Sequence, residues 1–291
     1  MGKAERTRTQ AARERVAAQQ AAARRAERRR RSLLASGSVI VVLALVAVII
    51  VVKLAQSPAK AGPAITSNAL AARATGVPLA TFNSVGAGTA SGLRAISKQP
   101  SLTVHGKPEV LYMGGEFCPY CAAERWAIAA ALSRFGHLSG LHFIHSAPDD
   151  ADPDTPTLSF YRSGFSSKYV AFVPVEVYGE ARDASTPLGH VYLQRPTPAE
   201  ATLFTRYAAG SIPFLDIANH YLLPGVSYPP AALAGLSWSQ VAAAMHDPDS
   251  AVGKDIDGAV NIITAGICAA TGGQPGSVCA SSGVIRAAGS L

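Results

Sequence analysis

The octapeptide GGEFCPYC, residues 114–121, carries two cysteines with two residues between them, at the start of a run that looks helical. A Cys-x-x-Cys pair can exchange electrons with a disulfide, supply two metal ligands or form a structural bridge. Its position favours electron exchange. Cys118 stands where the helix begins, and the unpaired N–H groups and dipole of a helix N-terminus favour a thiolate. Cys118 is therefore predicted to be the attacking sulfur.

The second cysteine lies on the apolar face of the predicted helix. Cys121 is in register with Ile128, Leu132 and Phe135, which recur at helical spacing. We therefore expect Cys121 to be shielded by the core and to act as the resolving thiol, whereas Cys118 points outward. The attacking cysteine is thus predicted to be exposed and the resolving cysteine to be buried.

Other elements follow from composition and periodicity. Runs rich in β-branched and aromatic residues predict strands at residues 77–85, 102–104, 109–113, 141–146, 169–178, 214–218 and 221–223. Helical patterns occur at residues 121–135, 197–208, 237–245 and 255–270. The second of these helices begins TPAE, a capping box with Thr197 as the N-cap. Strands alternating with helices predict an α/β or α+β sheet with helices packed on it, and we assign the class α/β.

The N-terminal region predicts a membrane anchor. Residues 1–32 hold eleven Lys or Arg and three Glu, a net charge of +8, and because the whole chain carries +7 the remainder carries −1. The twenty uncharged, mostly apolar residues 33–52 would form a helix about 30 Å long, enough to cross a bilayer core. The basic excess before this segment places the N-terminus in the cytoplasm and the remainder outside the plasma membrane.

Two alternatives concern this anchor. The triplet Ala59-Lys60-Ala61 resembles a signal-peptide cleavage site, but signal peptides have an apolar core of only about 7–15 residues. The basic tail is expected to contact anionic lipid headgroups. We do not expect it to bind nucleic acid, because it has neither aromatic residues nor a fold that would present its arginines.

The predicted organisation has one folded unit behind the anchor. The segments are the cytoplasmic tail 1–32, transmembrane helix 33–52, linker 53–65, extracytoplasmic domain 66–282 and flexible end 283–291. All four cysteines lie on the outer side, where an even number suggests two disulfides. Cys268 and Cys279 enclose ten residues with three Gly and one Pro. They are predicted to form a structural bridge worth about 3 kcal/mol, and a second redox pair is the alternative.

Two resemblances extend this interpretation. The strand–CxxC–helix order, followed much later by Ser211-Ile212-Pro213 at the start of a strand, resembles the thioredoxin superfamily. The stretches YMGGEFCPYCAAERW, SSKYVAFVPVEVYG, GSIPFLDIANHYLLPGVSY and ITAGICAATGGQPGSVC resemble the membrane-anchored proteins of the domain-of-unknown-function 929 family. The resemblance implies an enlarged thioredoxin-like fold, with a central mixed sheet flanked by helices. It also implies that Ile212 and a cis Pro213 face the cysteine pair and, with Pro119 and Tyr120, contact an extended substrate.

The sequence departs from the thioredoxin pattern in several places. Phe117 replaces the tryptophan that precedes the cysteine pair in thioredoxins, and an insertion is predicted at about residues 147–196. No clear buried acid for proton transfer is visible. Glu116 and Glu124 are close in sequence, but Glu124 is most simply interpreted as a solvated helix residue.

The function predicted from these features is thiol–disulfide exchange on exported proteins, with no cofactor and with a membrane or extracytoplasmic electron-transfer partner. Whether the protein oxidises, reduces or isomerises its substrates stays open. A non-enzymatic binding module with closed disulfides is one alternative. A metal-binding domain is another, but His142 and His145 lie three residues apart on a predicted strand, so their side chains face opposite sides and cannot share an ion.

Overall fold

The computed structural model describes residues 67–291. The predicted basic tail, the predicted membrane-spanning segment 33–52 and the linker lie outside the described residues. Within residues 67–291, no helix combines the length and apolar character needed to span a bilayer. The segment boundaries predicted from the sequence stay predictions.

The described part is a mixed α/β structure. Its helices are α1 Ser67–Thr75, α2 Leu79–Val85, α3 Pro119–Ser133, α4 Pro198–Ala208, α5 Trp238–Ala244, α6 Ala251–Ala270, α7 Gly276–Cys279 and α8 Ser282–Ala288, with a 3-10 helix Pro230–Leu233. Its strands are β1 Arg94–Ala95, β2 Thr103–Val104, β3 Lys107–Gly115, β4 His137–Ser139, β5 His142–His145, β6 Pro156–Ser159, β7 Gly164–Ser166, β8 Ala171–Arg182, β9 His190–Tyr192, β10 Phe214–Ile217 and β11 Tyr221–Pro224.

A seven-stranded mixed sheet forms the centre. Its order is β1-β11-β10-β3-β8-β9, with β2 paired to β3. Strands β3 and β8 run parallel, whereas β10 pairs antiparallel with both β3 and β11. The parallel pair needs a crossover, and α3 lies within that connection. The predicted central mixed sheet flanked by helices is confirmed.

Alternation along β3 separates two apolar clusters. Val110 and Tyr112 pack with α3 and α6 on one face of the sheet, and Leu111 and Met113 belong to the cluster that includes residues of α4 on the other. This is the period-two pattern of a strand buried on both faces. Because β3 runs straight into the cysteine pair, the end of this strand positions the candidate site.

The connection between α3 and β8 carries two additional strand pairs. Strand β4 pairs with β7, and β5 pairs with β6, both antiparallel and outside the main sheet. Strand β6 packs against α3. The segment 147–196, predicted as an insertion, also contains β8 and β9, which belong to the main sheet. The additional layer therefore begins earlier than expected, directly after α3.

One predicted strand is wrong. Residues 77–85 form helix α2 after Pro78, not a strand. The reason is tertiary: Phe82 is buried, and the Asn261 side chain on α6 donates hydrogen bonds to the carbonyl oxygens of Phe82 and Gly86 at 2.8 Å each. Packing on α6 thus overrides a weak β pattern. The capping box at Thr197, by contrast, is confirmed.

Candidate functional site

The cysteine pair sits at the junction of β3 and α3. Cys118 is the N-cap of α3 with an extended backbone, and Pro119 occupies the first turn. The Cys118 carbonyl accepts a hydrogen bond from the Ala122 N–H at 2.9 Å, which starts the helix. Pro119 suits this position because its missing N–H has no intrahelical partner to lose. The predicted location of Cys118 at the start of the helix is confirmed.

Gly114 and Gly115, which precede the cysteine pair, leave space for neighbouring side chains. A Cβ at Gly114 would lie 2.0 Å from the hydroxyl oxygen of Tyr112, and a Cβ at Gly115 would lie 3.1 Å from Cδ1 of Ile212. The Gly115 N–H donates to the sulfur of Cys121 at 3.5 Å. The Gly-Gly sequence therefore lets a buried phenol and an isoleucine approach the backbone beside the cysteines.

Both thiols are free and buried. Cys121 has no exposed surface and Cys118 is 6% exposed. The expected shielding of Cys121 is confirmed, but the expected outward position of Cys118 is wrong in degree. Cys118 belongs to an apolar cluster with Phe117 and Ala147, and the Ala147 N–H donates to the Phe117 carbonyl at 2.8 Å. The segment after β5 thus joins the apolar cluster that contains Cys118, which a local sequence pattern does not reveal.

Electrostatics distinguish the two sulfurs. The pKa of the Cys118 thiol is lowered, chiefly by its hydrogen bond with Cys121, which outweighs the opposing effect of burial. Burial raises the pKa of the Cys121 thiol well above its usual value, and the interaction with Cys118 raises it further. Of the two thiols, Cys118 therefore loses its proton more readily than Cys121.

The predicted substrate contacts lie around this pair. The Ile212–Pro213 peptide bond is cis, and Ile212 packs against the apolar cluster that contains both cysteines. Tyr120 is 43% exposed, so it is available for contact from outside. Pro119, by contrast, is buried. The structure thus brings Ile212 to the cluster that contains the cysteines, and Pro213 follows Ile212 through the cis bond. Of the two residues between the cysteines, only Tyr120 is exposed.

Phe117 stands where the thioredoxin pattern has tryptophan. Its ring stacks on the buried His190 ring, with centroids 3.8 Å apart and planes 9° apart. The His190 Nδ1 lies 3.0 Å from the Glu180 carbonyl oxygen, which fixes the imidazole on β9. The sequence interpretation missed His190, since nothing near it in the chain indicates that β9 reaches the cysteine turn.

A buried ion pair lies behind the site, and the sequence interpretation missed it as well. Arg125 donates from Nε and Nη2 to the two carboxylate oxygens of Glu176, at 2.8 Å each, and neither side chain has exposed surface. The Arg125 guanidinium also lies over the Tyr112 ring, 5.9 Å from its centroid. The available signal was a charged residue four positions after Cys121 in a helix otherwise rich in Ala.

Glu124 is not solvated, contrary to expectation. Its carboxylate is fully buried and accepts hydrogen bonds from the Ser227 N–H at 2.8 Å and the Ser227 hydroxyl at 2.9 Å. Burial raises the pKa of Glu124 to about 7, although both bonds from Ser227 oppose the rise. Glu116 accepts a hydrogen bond from the Ser159 hydroxyl at 2.6 Å. Buried acids therefore exist near the site, and the sequence interpretation did not identify them.

A cavity lies at the segment after β5, which is hydrogen-bonded to Phe117. Its volume is about 450 Å³, and residues 143–148, Asp154, Glu180 and Trp238 line it. Its wall includes Ala147, the residue bonded to Phe117. The cavity combines an aromatic surface with two carboxylates. This recess lies close to the cysteine turn, although the cysteines themselves are not part of its lining.

The second pair of cysteines is joined. Cys268 and Cys279 form a disulfide whose Cα atoms are 5.5 Å apart, connecting the end of α6 to α7. The intervening loop contains Gly272 and Gly273, both with positive φ, which suits glycine. Its assignment as a structural bridge stays a prediction.

The two histidines considered as metal ligands have different neighbours. His142 lies 3.8 Å from a carboxylate oxygen of Glu116, whereas the His145 ring packs on Trp238 with centroids 4.4 Å apart. Among residues 67–291, no three or more His, Cys, Asp or Glu side chains form a group that could hold a metal ion.

Comparisons with known proteins give one match. Neither the curated proteins nor the solved structures include a match to this chain. The family model described as "Domain of unknown function (DUF929)" matches residues 95–269, which is 60% of the chain and contains β3, the free cysteine pair and both residues of the Arg125–Glu176 ion pair. The chain belongs to the DUF929 family.

Proposed function

We propose that this protein is a membrane-anchored, extracytoplasmic thiol–disulfide oxidoreductase with a thioredoxin-like fold. It acts on exported proteins through Cys118 and Cys121. The observation that carries the proposal is the contrast between the two free thiols: the N-cap cysteine has a lowered pKa, and its partner, one turn into the helix, has a raised pKa. A nucleophilic thiolate beside a protonated resolving thiol is what stepwise disulfide exchange requires.

The arrangement of elements supports the thioredoxin-like assignment. Strand β3 leads into the cysteine pair and α3, and much later Pro213 stands directly before β10, which pairs with β3. This strand–CxxC–helix and proline–strand order is the one on which the resemblance rests. By that resemblance, the backbone at Ile212 offers hydrogen bonds to an extended substrate beside Cys118.

The proposed reaction is an exchange of sulfur bonds. The Cys118 thiolate attacks one sulfur of a substrate disulfide, so a Cys118–substrate disulfide forms and the other substrate sulfur leaves as a thiolate. Cys121 then loses its proton and attacks the Cys118 sulfur. The Cys118–Cys121 bond forms, and the second substrate sulfur leaves. The cysteine pair loses two electrons and two protons, and the substrate disulfide gains them.

The same steps run in reverse when the oxidised pair meets substrate thiols, which then become the disulfide. The direction depends on the stability difference between the two forms of the pair, and about 30 mV corresponds to 1.4 kcal/mol. We propose a membrane or extracytoplasmic electron-transfer partner that regenerates the pair. The basic tail would hold the anchor against anionic lipid headgroups on the cytoplasmic side.

The recess lined by Glu180, Asp154 and Trp238 supports contact with a polypeptide rather than a small thiol. It includes Ala147, which belongs to the same apolar cluster as Cys118, so a substrate segment entering there would approach the cysteine turn. Tyr120 supplies an exposed aromatic surface from within the cysteine turn.

A binding module is the second candidate, and the low exposure of Cys118 favours it. A cysteine that is 6% exposed reaches a protein disulfide only if the residues packed around it move. In such a module, the fold would present the surface around Tyr120 to a partner without forming a mixed disulfide.

Trapping in cells separates the two candidates. The full-length Cys121→Ala variant lacks the resolving thiol, so we expect it to accumulate mixed disulfides with exported proteins through Cys118. The matched control is Cys118→Ala, which retains Cys121 and should trap nothing. Loss of the adducts on treatment with a reductant would show that they are disulfides. If Cys121→Ala traps no more than Cys118→Ala, exchange is excluded and the binding module stands.

A further inference from the structure

The buried Arg125–Glu176 pair is placed where it can act on the cysteines. Arg125 follows Cys121 by four residues on α3, and residues at that spacing lie on the same face of a helix. Glu176 belongs to β8 and lies opposite Gly114 in the register with β3. The ion pair is therefore beneath the turn that carries both thiols.

Within the part of the chain that the structure describes, the hydrogen bonds of the Arg125–Glu176 ion pair leave one guanidinium nitrogen of Arg125 without an acceptor. Both oxygens of Glu176 accept from Arg125, and one of them also accepts from the Phe160 N–H at 3.2 Å. The third guanidinium nitrogen, Nη1 of Arg125, is buried without a hydrogen-bond partner among residues 67–291. The carboxylate is held by its partners, whereas the guanidinium keeps an unpaired N–H group.

Stability alone does not account for such a pair. Removing two charges from water is costly, and replacing a buried ion pair by apolar residues of similar volume is often neutral or stabilising. The neighbouring positions on α3 hold Ala123, Trp126 and Ala127, all without exposed surface, so an apolar residue would suit the helix. An arginine rather than a lysine keeps its charge at every accessible pH.

We propose that Arg125, fixed by Glu176, is a positioning residue that stabilises the thiolate forms of Cys118 and Cys121. This inference rests on the proposed thiol–disulfide exchange, because it assigns the charge that the exchange requires. Arg125 stabilises the Cys118 thiolate before attack, and it stabilises the Cys121 thiolate when that sulfur resolves the mixed disulfide. No fully buried cation other than Arg125 is present among residues 67–291.

The groups facing the two sulfurs support this assignment. Arg125 from α3 acts on both sulfurs, and each sulfur acts on the other. Tyr112 from β3 interacts with Cys121, and Glu176 from β8 interacts with Arg125 and Tyr112. The pKa of Cys118 is lowered mainly by the hydrogen bond with Cys121, and the Arg125 charge lowers it further. The Arg125 charge also opposes the rise that burial causes in the pKa of Cys121.

If the Arg125 charge acts on the thiolates, Glu176→Gln and Arg125→Met should shift the Cys118 pKa in opposite directions. A purely structural role would not produce opposite shifts. In the full-length protein in detergent, Glu176→Gln leaves a cation without its anion, so we expect the Cys118 thiolate pKa to fall by about 1 unit. Arg125→Met leaves the anion alone and should raise that pKa by about 1 unit. Arg125→Lys keeps the charge but loses the paired hydrogen bonds of the guanidinium to Glu176. The Cys118 pKa in this variant should therefore lie between the wild-type value and that of Arg125→Met. The matched control Arg94→Met removes an exposed arginine on β1 and should change nothing.

The pKa is measured from the pH dependence of Cys118 alkylation by iodoacetamide, with the adduct located by mass spectrometry, and from thiolate absorbance in the same samples. Shifts of the same sign in Glu176→Gln and Arg125→Met would overturn the proposal, as would shifts no larger than that of Arg94→Met. If Arg125→Met does not fold, Glu176→Gln and Arg125→Lys decide. If none of the three folds, the pair is a requirement of the fold and the proposal fails.

The test is independent of the proposed activity. Exchange with oxidised glutathione is followed in the same preparations. If the opposite shifts occur but wild-type protein forms no mixed disulfide, the proposed function fails and the role of Arg125 stands. If exchange occurs and the shifts are absent, only the role of Arg125 fails.

Discussion

The two cysteine pairs of this protein occupy contrasting surroundings. Cys118 and Cys121 are free, lie at the N-terminal end of α3 and are enclosed by the sheet and buried charges. Cys268 and Cys279 are joined, and they connect the C-terminal end of α6 to a short helix across an exposed glycine loop. One pair lies where a helix dipole favours thiolates, and the other lies where it does not.

The contrast shows that cysteines of one chain occupy very different surroundings. At the first pair, noncovalent contacts hold the backbone around two free, buried thiols. At the second, the covalent bond itself constrains a loop that has few contacts. The two regions should therefore respond differently to substitution.

The largest effect on stability is expected behind the first pair. Arg125→Met leaves Glu176 charged and buried without its partner, so the free energy of unfolding should fall by about 3–5 kcal/mol. Denaturant unfolding followed by circular dichroism measures this change. Arg94→Met, the exposed control, should stay within about 0.5 kcal/mol of wild type. A loss below 1 kcal/mol in Arg125→Met, on the scale of an exposed pair, would show that Glu176 is not held buried as a charge.

Opening the second pair should cost less. The Cys268→Ala/Cys279→Ala variant loses the bridge over a ten-residue loop, and the free energy of unfolding should fall by about 3 kcal/mol. Because the bridge is predicted to be structural, the pH profile of Cys118 alkylation should be unchanged. An altered Cys118 profile, or loss of exchange activity with the fold intact, would instead indicate electron relay between the pairs.

Glycine substitutions give a smaller, matched comparison. A Cβ at Gly114 would meet the hydroxyl of Tyr112, whose fully buried ring packs on Phe160 and cannot withdraw, so Gly114→Ala should cost about 1–3 kcal/mol. Gly276 lies in the loop of the second pair with open space around its Cβ position. Gly276→Ala should therefore stay within about 0.5 kcal/mol of wild type. Equal effects on thermal unfolding would contradict the contrast.

A further comparison is the dependence of stability on pH, since each cysteine helix carries one buried acid. Burial raises the pKa of Glu124 on α3 from 4.5 to about 7 and that of Asp257 on α6 from 3.8 to about 8. Each carboxyl binds its proton more tightly in the folded chain. The stability that each carboxyl contributes is therefore complete below its pKa in the unfolded chain. It is lost as pH rises through its pKa in the folded chain, by up to about 1.4 kcal/mol per pH unit.

Glu124→Gln and Asp257→Asn should each reduce this slope in denaturant unfolding measured between about pH 5 and about pH 8. The slope should persist longer in Glu124→Gln, because Asp257 titrates at the higher pH. The two acids also differ in their hydrogen bonding. Glu124 accepts two hydrogen bonds from Ser227, whereas both oxygens of Asp257 lack a partner among residues 67–291. A pH-independent wild type would show that both acids ionise normally.

Much of the fold was predictable from local pattern. The strand at residues 109–113 and the helix after Cys118 have long, consistent patterns, and the Thr197 capping box marks a helix start by side-chain chemistry alone. The segment at 77–85 was not predictable, because its short β-like pattern is overridden by the bonds from Asn261. Short strands such as β4 and β7 were missed because each is defined by its pairing with the other and not by a local pattern.

The candidate site divides in the same way. Local pattern was enough to predict that Cys118 begins a helix and that Cys121 faces the core, because both features depend on neighbours in the chain. The burial of Glu124 and Arg125 and the position of Glu176 beneath the cysteine turn became visible only in the folded chain. Helical periodicity identifies one apolar face, but α3 is covered on several sides by the sheet, α6 and β6. Burial on those other sides depends on segments far away in the chain, which no local spacing records.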